Sequence, residues 1–125
     1  MPFKLLWEAK FKILALVEKN QCLIEECLTK DMAEDQYQAY WNELYIKLKK
    51  ISVVGTTGLP DQISRLECTN PKIWALKQGK IRLFYFQTED GSIVLTNFYV
   101  KKSQKLDKKF LTKAIRVRKR YYESL

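Results

Sequence analysis

Residue types that carry much of enzyme chemistry are absent or rare in this 125-residue chain. Histidine is absent, which removes the imidazole base of Ser-His and Cys-His nucleophilic sites. The three cysteines are odd in number and form no CxxC pair, which predicts reduced thiols rather than disulfides. Since cysteine and carboxylate spacings also fit no known zinc pattern, we expect no metal site. The four glycines form neither a Walker loop nor a GxGxxG motif.

Long apolar runs are also missing. No stretch approaches the roughly 18–20 residues of a membrane-spanning helix. Charged residues interrupt the apolar N-terminal stretch, which lacks the long core of a signal peptide. Hydrophobic residues still make up 46% of the chain, which is enough for one folded core. We therefore expect a single cytoplasmic domain over residues 1–125.

Acidic residues are rare in the second part of the chain. Residues 1–71 carry nine basic and ten acidic groups (−1), whereas residues 72–125 carry fourteen basic and four acidic groups (+10), which together give +9. Such asymmetry indicates a polyanionic partner. Nucleic acid fits this expectation. An anionic membrane surface fits less well, because the apolar face of the last helix would then have no core to cover.

Hydrophobic periodicity predicts an α+β domain. The first half should contain a strand over residues 11–17, which could begin near Leu5, and a short helix over residues 22–28. Asp31 and Glu34 fit a capping box at the start of a longer helix that ends before Gly55. The apolar stripe of this helix, which includes Tyr37, should face a core.

The second half is expected to form a sheet and one more helix. Residues 63–68 are a candidate extended segment, and strands are predicted over 72–78, 80–87 and 92–101. The pair Asp90-Gly91 predicts a tight hairpin between the last two. The order is thus strand, helix, helix, three-stranded antiparallel meander and basic C-terminal helix. The first strand should join the edge of the meander, and the two early helices should cover one face.

The last helix, expected from residue 107 to about residue 123, carries two stripes of side chains. The apolar stripe is Phe110, Ala114, Val117 and Tyr121, and the cationic stripe is Lys109, Lys113, Arg116 and Arg120. The cationic stripe should contact phosphates, with Lys80 and Lys105 as further RNA-binding candidates. Tyr99 is a candidate for base stacking, although such tyrosines more often pack in a core. A merely solvating function of the charge is the alternative.

The meander supplies a second basic group. Lys77 and Arg82 lie on either side of a bend at Gly79, and Lys101 and Lys102 end the next strand. A lysine whose pKa is lowered by neighbouring cations can act as a general base. The remaining cations can stabilise a phosphorane-like transition state. Lys77, Arg82, Lys101 and Lys102 are therefore candidates for a ribonuclease site without histidine.

Several segments follow patterns of a known family. IWALKQGKIRLFYF is similar to a strand pair with an L-x-x-L-R run followed by Y-R-I-x-Y. GSIVLTNFYVKKSQKLDKKFLTKAIRVRKRYY is similar to the ending hGFxKKTQKTPxxEIxxAxxRxxxY, and KKSQK at residues 101–105 is its most specific part. CLIEECL is similar to a short PVEEFL helix. From residue 59 to residue 122 the chain thus resembles the RelE/HigB toxin superfamily, specifically its phage-derived HigB-like branch.

The resemblance implies a RelE-like fold and a function. Such toxins belong to cytosolic type II toxin–antitoxin modules and mostly act as ribosome-dependent endoribonucleases on mRNA. The ribose 2′-OH attacks the adjacent phosphate, and no metal or cofactor is needed. A cognate antitoxin, often of helix-turn-helix type in this branch, neutralises the toxin. The expected partners are therefore the antitoxin, the ribosome and mRNA.

The resemblance also implies residue functions. Arg82 matches the strand arginine that contacts the scissile phosphate, and Lys77 matches the basic residue that closes the preceding strand. Lys102, with Lys101, matches the basic position after the last strand, which assists the leaving group or stabilises charge. The alternative is a non-catalytic module on the same fold that binds nucleic acid or an antitoxin.

Overall fold

The structure is a computed structural model that describes residues 2–105 and 107–125. Six strands and three helices follow one another along these residues. They are β1 (Phe3–Glu8), β2 (Lys12–Leu16), α1 (Leu23–Thr29), α2 (Asp35–Val54), β3 (Ser64–Thr69), β4 (Lys72–Gln78), β5 (Ile81–Gln87), β6 (Ile93–Val100) and α3 (Lys108–Glu123). In the described part of the chain, no helix is long and apolar enough to span a membrane.

All six strands belong to one mixed sheet with the order β1-β2-β6-β5-β4-β3. Strands β3 to β6 form an antiparallel meander, β2 runs parallel to β6, and β1 pairs with β2 as an antiparallel hairpin. The α+β class and the attachment of the first strand to the meander are therefore confirmed. The meander has four strands rather than the three expected.

The described residues form two strands more than the sequence predicted. Both arise where the hydrophobic periodicity did not define the ends of an extended segment. The N-terminal extended segment is broken at residues 9–11, where the Ala9 N–H donates to the Phe11 carbonyl at 3.4 Å. The break separates β1 from β2. The candidate segment at 63–68 becomes β3, because the turn at Asn70-Pro71 brings it back beside β4.

The sequence places the start of α2 too early. Asp31 has a φ of 51° and does not cap the helix, which begins at Asp35. The segment before the helix is held differently: Gln38 Oε1 accepts a hydrogen bond from the Ala33 N–H at 3.1 Å. This bond ties the preceding segment to the first turn of the helix, and no side-chain hydrogen bond caps the helix at Glu34.

Helices cover both faces of the sheet, so the domain has two cores. Helices α1 and α2 cover one face, as expected, and α3 covers the other. The helix side chains buried in the first core are Ile24, Cys27, Leu28, Trp41, Leu44, Leu48 and Ile51, and those in the second are Ala114, Val117 and Tyr121. Helix α3 starts at the expected place, because Asp107 Oδ1 accepts a hydrogen bond from the Lys109 N–H at 3.1 Å.

A β-bulge interrupts β6. The register between β5 and β6 shifts so that both Thr96 and Asn97 lie opposite Phe84. A bulge of this kind reverses the alternation of side chains beyond it. Val94 before the bulge and Tyr99 after it therefore both face α3, although strict alternation would place them on opposite faces. Tyr99, near the end of β6, therefore lies on the same face of the sheet as Arg82.

A tight turn at Gly79 joins β4 to β5. Gly79 has a φ of +56°, and a Cβ at this position would collide with the ring of Tyr40 from α2. Lys47 of α2 also donates to the Gln78 side-chain oxygen at 2.5 Å. Glycine permits both the left-handed backbone and the close approach of α2. The turn therefore fixes where β5 begins, and with it the position of Arg82.

We predict that Gly79→Ala destabilises the domain more than Gly58→Ala. Gly58 also has a positive φ, +85°, but no atom lies within 4 Å of a Cβ built there. The control should lose about 1 kcal/mol from backbone strain alone, and Gly79→Ala about 2–3 kcal/mol. Urea denaturation measures both. Equal losses would show that the Tyr40 ring does not constrain the turn.

Candidate nucleic-acid interface

Five cations gather at one end of the sheet, where β4 ends, β5 begins and β6 ends. We call them the basic end: Lys77, Lys80, Arg82, Lys101 and Lys102. Lys80 lies in the Gly79 turn, and its carbonyl accepts a hydrogen bond from the Lys101 N–H at 2.7 Å. This bond continues the β5–β6 pairing past the end of β6. The four cations predicted for catalysis thus lie at the same end of the sheet.

Three residues form a row across β4, β5 and β6. Lys77 is paired with Arg82, and Arg82 is paired with Tyr99. The row lies on the α3 face, since Ala75 and Phe84, two residues away on the same strands, are buried in the α3 core. Directly opposed side chains have Cβ atoms about 5 Å apart. A lysine and an arginine so placed can contact the same phosphate.

Arg82 is half-buried and held by the turn beside it. Its Nη1 donates to the carbonyls of Gly79 at 2.7 Å and Ile81 at 3.0 Å. A guanidinium has five N–H donors, and no acceptor among the described residues binds Nε or Nη2. The turn can therefore orient Arg82 while other donors bind a phosphate in bidentate fashion.

Carboxylates do not neutralise the basic end. Between described residues the ion pairs are Lys4–Glu25, Lys30–Glu25, Arg65–Glu67 and Lys113–Glu18. None of these pairs includes a cation of the basic end. Lys77 Nζ instead donates to the backbone carbonyl of Asp61 at 3.2 Å. A carbonyl carries no net charge, so the positive potential remains available to a polyanion.

Tyr99 is a core residue. It is 5% exposed, and its ring stacks on Phe84 at 5.8 Å and on Phe110 at 4.7 Å between centroids. Burial raises the pKa of the Tyr99 hydroxyl, and the charge of Arg82 acts in the opposite direction. Its ring is already enclosed by other side chains, so the structure favours the alternative that Tyr99 packs in a core over stacking on a base.

The cationic stripe of α3 extends away from the basic end. Lys109 lies in the first turn of the helix, and Arg120 lies about 16 Å farther along the axis at 1.5 Å per residue. Lys109, Arg116 and Arg120 are exposed. Lys113 is half-buried, and its Nζ forms an ion pair with Glu18 at 2.8 Å. Three of the four cations are thus open to a long polyanion.

The sequence analysis missed Arg118. Its guanidinium lies 4.9 Å from the ring centroid of Tyr122 and 5.8 Å from that of Phe86, which is cation–π geometry. These contacts fix the end of α3 opposite the basic end. Arg118 lies on the far side of the apolar stripe from the cationic stripe, so the spacing rule did not select it.

A cleft of about 580 Å³ lies beside the basic end, between the N-terminal ends of α2 and α3. We call it the α2–α3 cleft. Its cationic side chains are Lys102, Lys105 and Lys109. Lys105 is exposed and lines this cleft together with Lys102, so it lies beside the basic end, as a phosphate-binding residue should. The cleft joins the basic end to the start of the α3 stripe.

The cysteine and acidic side chains bear on metal binding and on thiol chemistry. In residues 2–105 and 107–125, no group of three or more cysteine, aspartate or glutamate side chains could hold a metal ion. All three cysteines are free thiols, and burial raises the pKa of Cys27 to about 11. A thiol with so high a pKa is protonated and unreactive at neutral pH.

Comparison with known families gives one match. Residues 39–119 match the family described as phage-derived protein Gp49-like (DUF891). The matched region begins in α2 and ends in α3, so it includes the meander and the whole basic end. No curated protein matches the chain.

We predict that Asn97→Ala loosens α3 from the sheet. Asn97 is 7% exposed; its Nδ2 donates to the Phe110 carbonyl at 3.0 Å, and its Oδ1 accepts from Thr96 Oγ1 at 2.7 Å. Loss of both bonds should lower the free energy of unfolding by about 1–2 kcal/mol. Thr112→Ala, on the exposed side of α3, should change it by less than about 0.5 kcal/mol. Equal unfolding midpoints in urea for Asn97→Ala and the unmodified protein would contradict this assignment.

Proposed function

The chain belongs to the Gp49-like family of phage-derived proteins, and from this premise we propose that it is the toxin of a type II toxin–antitoxin system. That family is related to toxins of the RelE/HigB type. The motifs between residues 59 and 122 resemble the same superfamily. The proposed activity is ribosome-dependent cleavage of mRNA in the cytoplasm, opposed by an antitoxin of helix-turn-helix type.

The observation that carries the proposal is the row formed by Lys77 and Arg82 at the basic end. The two cations are directly paired across β4 and β5, and no described carboxylate lies within 4 Å of either. Both heads are held by backbone carbonyls. Such preorganised cations stabilise charge that develops on a phosphate without further rearrangement.

The proposed reaction needs an attacking group, a base and an acid. A lysine amine of the basic end removes the proton of the ribose 2′-OH, and the 2′-oxygen forms a bond to the adjacent phosphorus. Arg82 neutralises the additional negative charge of the phosphorane. The bond from phosphorus to the 5′-oxygen then breaks, and Lys101 or Lys102 gives that oxygen a proton. The products are a 2′,3′-cyclic phosphate and a 5′-hydroxyl.

Helix α3 would bind the ribosome. Its exposed cations extend over about 16 Å, which spans several phosphates of an RNA strand. Contacts with phosphates position a protein but carry little sequence information. In this proposal α3 supplies affinity for ribosomal RNA, while the basic end cuts the mRNA.

One observation favours the alternative, a non-catalytic binding module. Arg82 already donates two hydrogen bonds to the turn, so its function could be purely structural. The experiment that follows separates the two functions, because it measures folding and cleavage on the same variants.

We predict that Arg82→Ala abolishes mRNA cleavage, with at least a hundredfold loss, because it removes the donor that stabilises the transition state. Purified protein is incubated with an mRNA and translating ribosomes, and breaks are mapped by primer extension. Arg65→Ala, on edge strand β3 and outside the basic end, should cut normally. Circular dichroism melting should show that both variants remain folded.

The outcomes of this experiment distinguish a ribosome-dependent toxin, a nuclease that acts on free RNA and a non-catalytic module. Ribosome-dependent cuts that Arg82→Ala loses support the toxin. Cuts on free RNA would keep the nuclease and contradict the ribosome-dependent mechanism. Cuts that persist in folded Arg82→Ala would remove this residue from the reaction. A protein that binds ribosomes tightly and cuts nothing would be the non-catalytic module.

We also predict that Arg116→Glu combined with Arg120→Glu weakens ribosome binding and flattens its salt dependence. Loss of two phosphate contacts should reduce the slope of log K against log salt by about 1.4–1.8. Lys19→Glu combined with Lys50→Glu makes the same change in net charge at exposed positions outside α3 and should alter the slope less. Sedimentation with ribosomes over a salt series measures this. Equal slopes of log K against log salt for the two double variants would contradict the proposed binding of α3 to the ribosome.

A further inference from the structure

We propose that the α2–α3 cleft is a nucleobase-binding subsite in which one base of single-stranded RNA stacks on Tyr37. The inference deepens the proposed function and relies on it for the choice of RNA as ligand. A pocket volume of about 580 Å³ lies within the roughly 300–1,000 Å³ typical of small-molecule sites, so a nucleotide unit fits.

Tyr37 is the aromatic side chain with a surface available to a base. It lines the cleft, is half-buried, and lies in the first turn of α2. Its ring packs on Tyr40 at 6.5 Å between centroids with an interplanar angle of 26°. Tyr40 does not line the cleft, so it supports the Tyr37 ring from the other side. The ring also packs against the first core. A half-exposed ring held by such packing is suited to stacking.

The other aromatic residues of the cleft wall are already occupied. Tyr99 stacks on Phe110 at 4.7 Å, and the Lys109 ammonium lies 5.0 Å above the Phe110 ring. Phe98 packs edge-on against Trp41 of the first core, with centroids 4.7 Å apart. The structure therefore leaves the stacking function to Tyr37 among the described residues of this wall.

The cleft also supplies charge for a phosphate. Lys102, Lys105 and Lys109 surround it, against two carboxylates, Glu34 and Asp107. Asp107 is engaged as the N-cap of α3. Cations beside an aromatic surface are the combination that binds a backbone phosphate and its base together.

The cleft also lies next to the basic end. Lys102 belongs to both, and Tyr99, which lines the cleft, is paired with Arg82 across β5 and β6. A base held on Tyr37 would thus belong to a nucleotide near the one whose phosphate reaches Arg82. Gln36 and Glu34 at the cleft rim, joined at 3.0 Å, offer an amide and a carboxylate to the edge of that base.

The test measures base stacking without cleavage. The probe is a short single-stranded RNA that carries 2-aminopurine and is 2′-O-methylated throughout, so that no 2′-OH can attack. Binding to the full chain should quench the 2-aminopurine fluorescence. Tyr37→Leu should weaken binding by about fivefold or more and remove the quench, because a stacked base contributes at least that factor. Tyr37→Phe, which keeps the ring, should bind like the unmodified protein.

Two controls keep the result decisive. Tyr45→Leu is the same substitution on the same helix, at a ring that packs on Trp7 away from the cleft, and should bind normally. Lys105→Ala, at an exposed position, should reduce the salt dependence of binding without restoring fluorescence. Folding of every variant is checked by thermal melting.

Binding and quenching that Tyr37→Leu leaves unchanged, or that it and Tyr45→Leu lower equally, would overturn the subsite. Failure of the unmodified chain to bind the probe would overturn it as well. Neither result contradicts the proposed nuclease activity, because Arg82-dependent cutting on ribosomes is measured separately with unmodified mRNA. Conversely, a stacking site in a chain that cuts nothing would stand as a feature of a binding module.

Discussion

The bulge in β6 is the constraint on which the site depends. Two residues of β6, Thr96 and Asn97, share one partner on β5, and this offset turns Tyr99 toward α3. With strict alternation Tyr99 would point into the first core and its neighbour Phe98 toward α3. The bulge also places the Asn97 amide where it reaches the Phe110 carbonyl. One additional residue in β6 therefore places Tyr99 in the row beside Arg82. The same residue determines where α3 is attached to the sheet.

Concentrated positive charge is tolerated at the basic end because of where its side chains are anchored. Lys77 and Arg82 donate to backbone carbonyls of nearby turns, so their positions are fixed without carboxylates. A carboxylate partner would hold them equally well but would cancel the field that attracts phosphate. The Gly79 turn has a second effect, since its close approach to Tyr40 ties the same end of the sheet to α2. The rigidity of the site therefore comes from backbone geometry, and its charge remains available.

The sequence predicted the elements with strong periodicity or explicit end signals. Three of the four meander strands, the first strand attached to the meander, and the start of α3 at Asp107 were predicted correctly. Prediction from the sequence failed where contacts between separate segments determine the local structure. Gln38, rather than Asp31, organises the start of α2, because it reaches back to Ala33 and to the Cys27 carbonyl. The bulge leaves no mark in the alternation of β6, since its residues are apolar or small on both sides.

The two tyrosines show why the basic residues of the candidate site could be predicted and its aromatic surface could not. Charge asymmetry locates a cationic surface regardless of how the chain folds, so the lysines and arginines were found. An aromatic ring can serve either a core or a ligand, and only its neighbours decide between them. Tyr99, which lies among cations in the sequence, is enclosed by Phe84 and Phe110. Tyr37, which belongs to an apolar helical stripe, packs against the first core and also lines the cleft with Lys102 and Lys105. In the proposed subsite the stacking ring is therefore identified by how α2 packs and not by the charge of its surroundings.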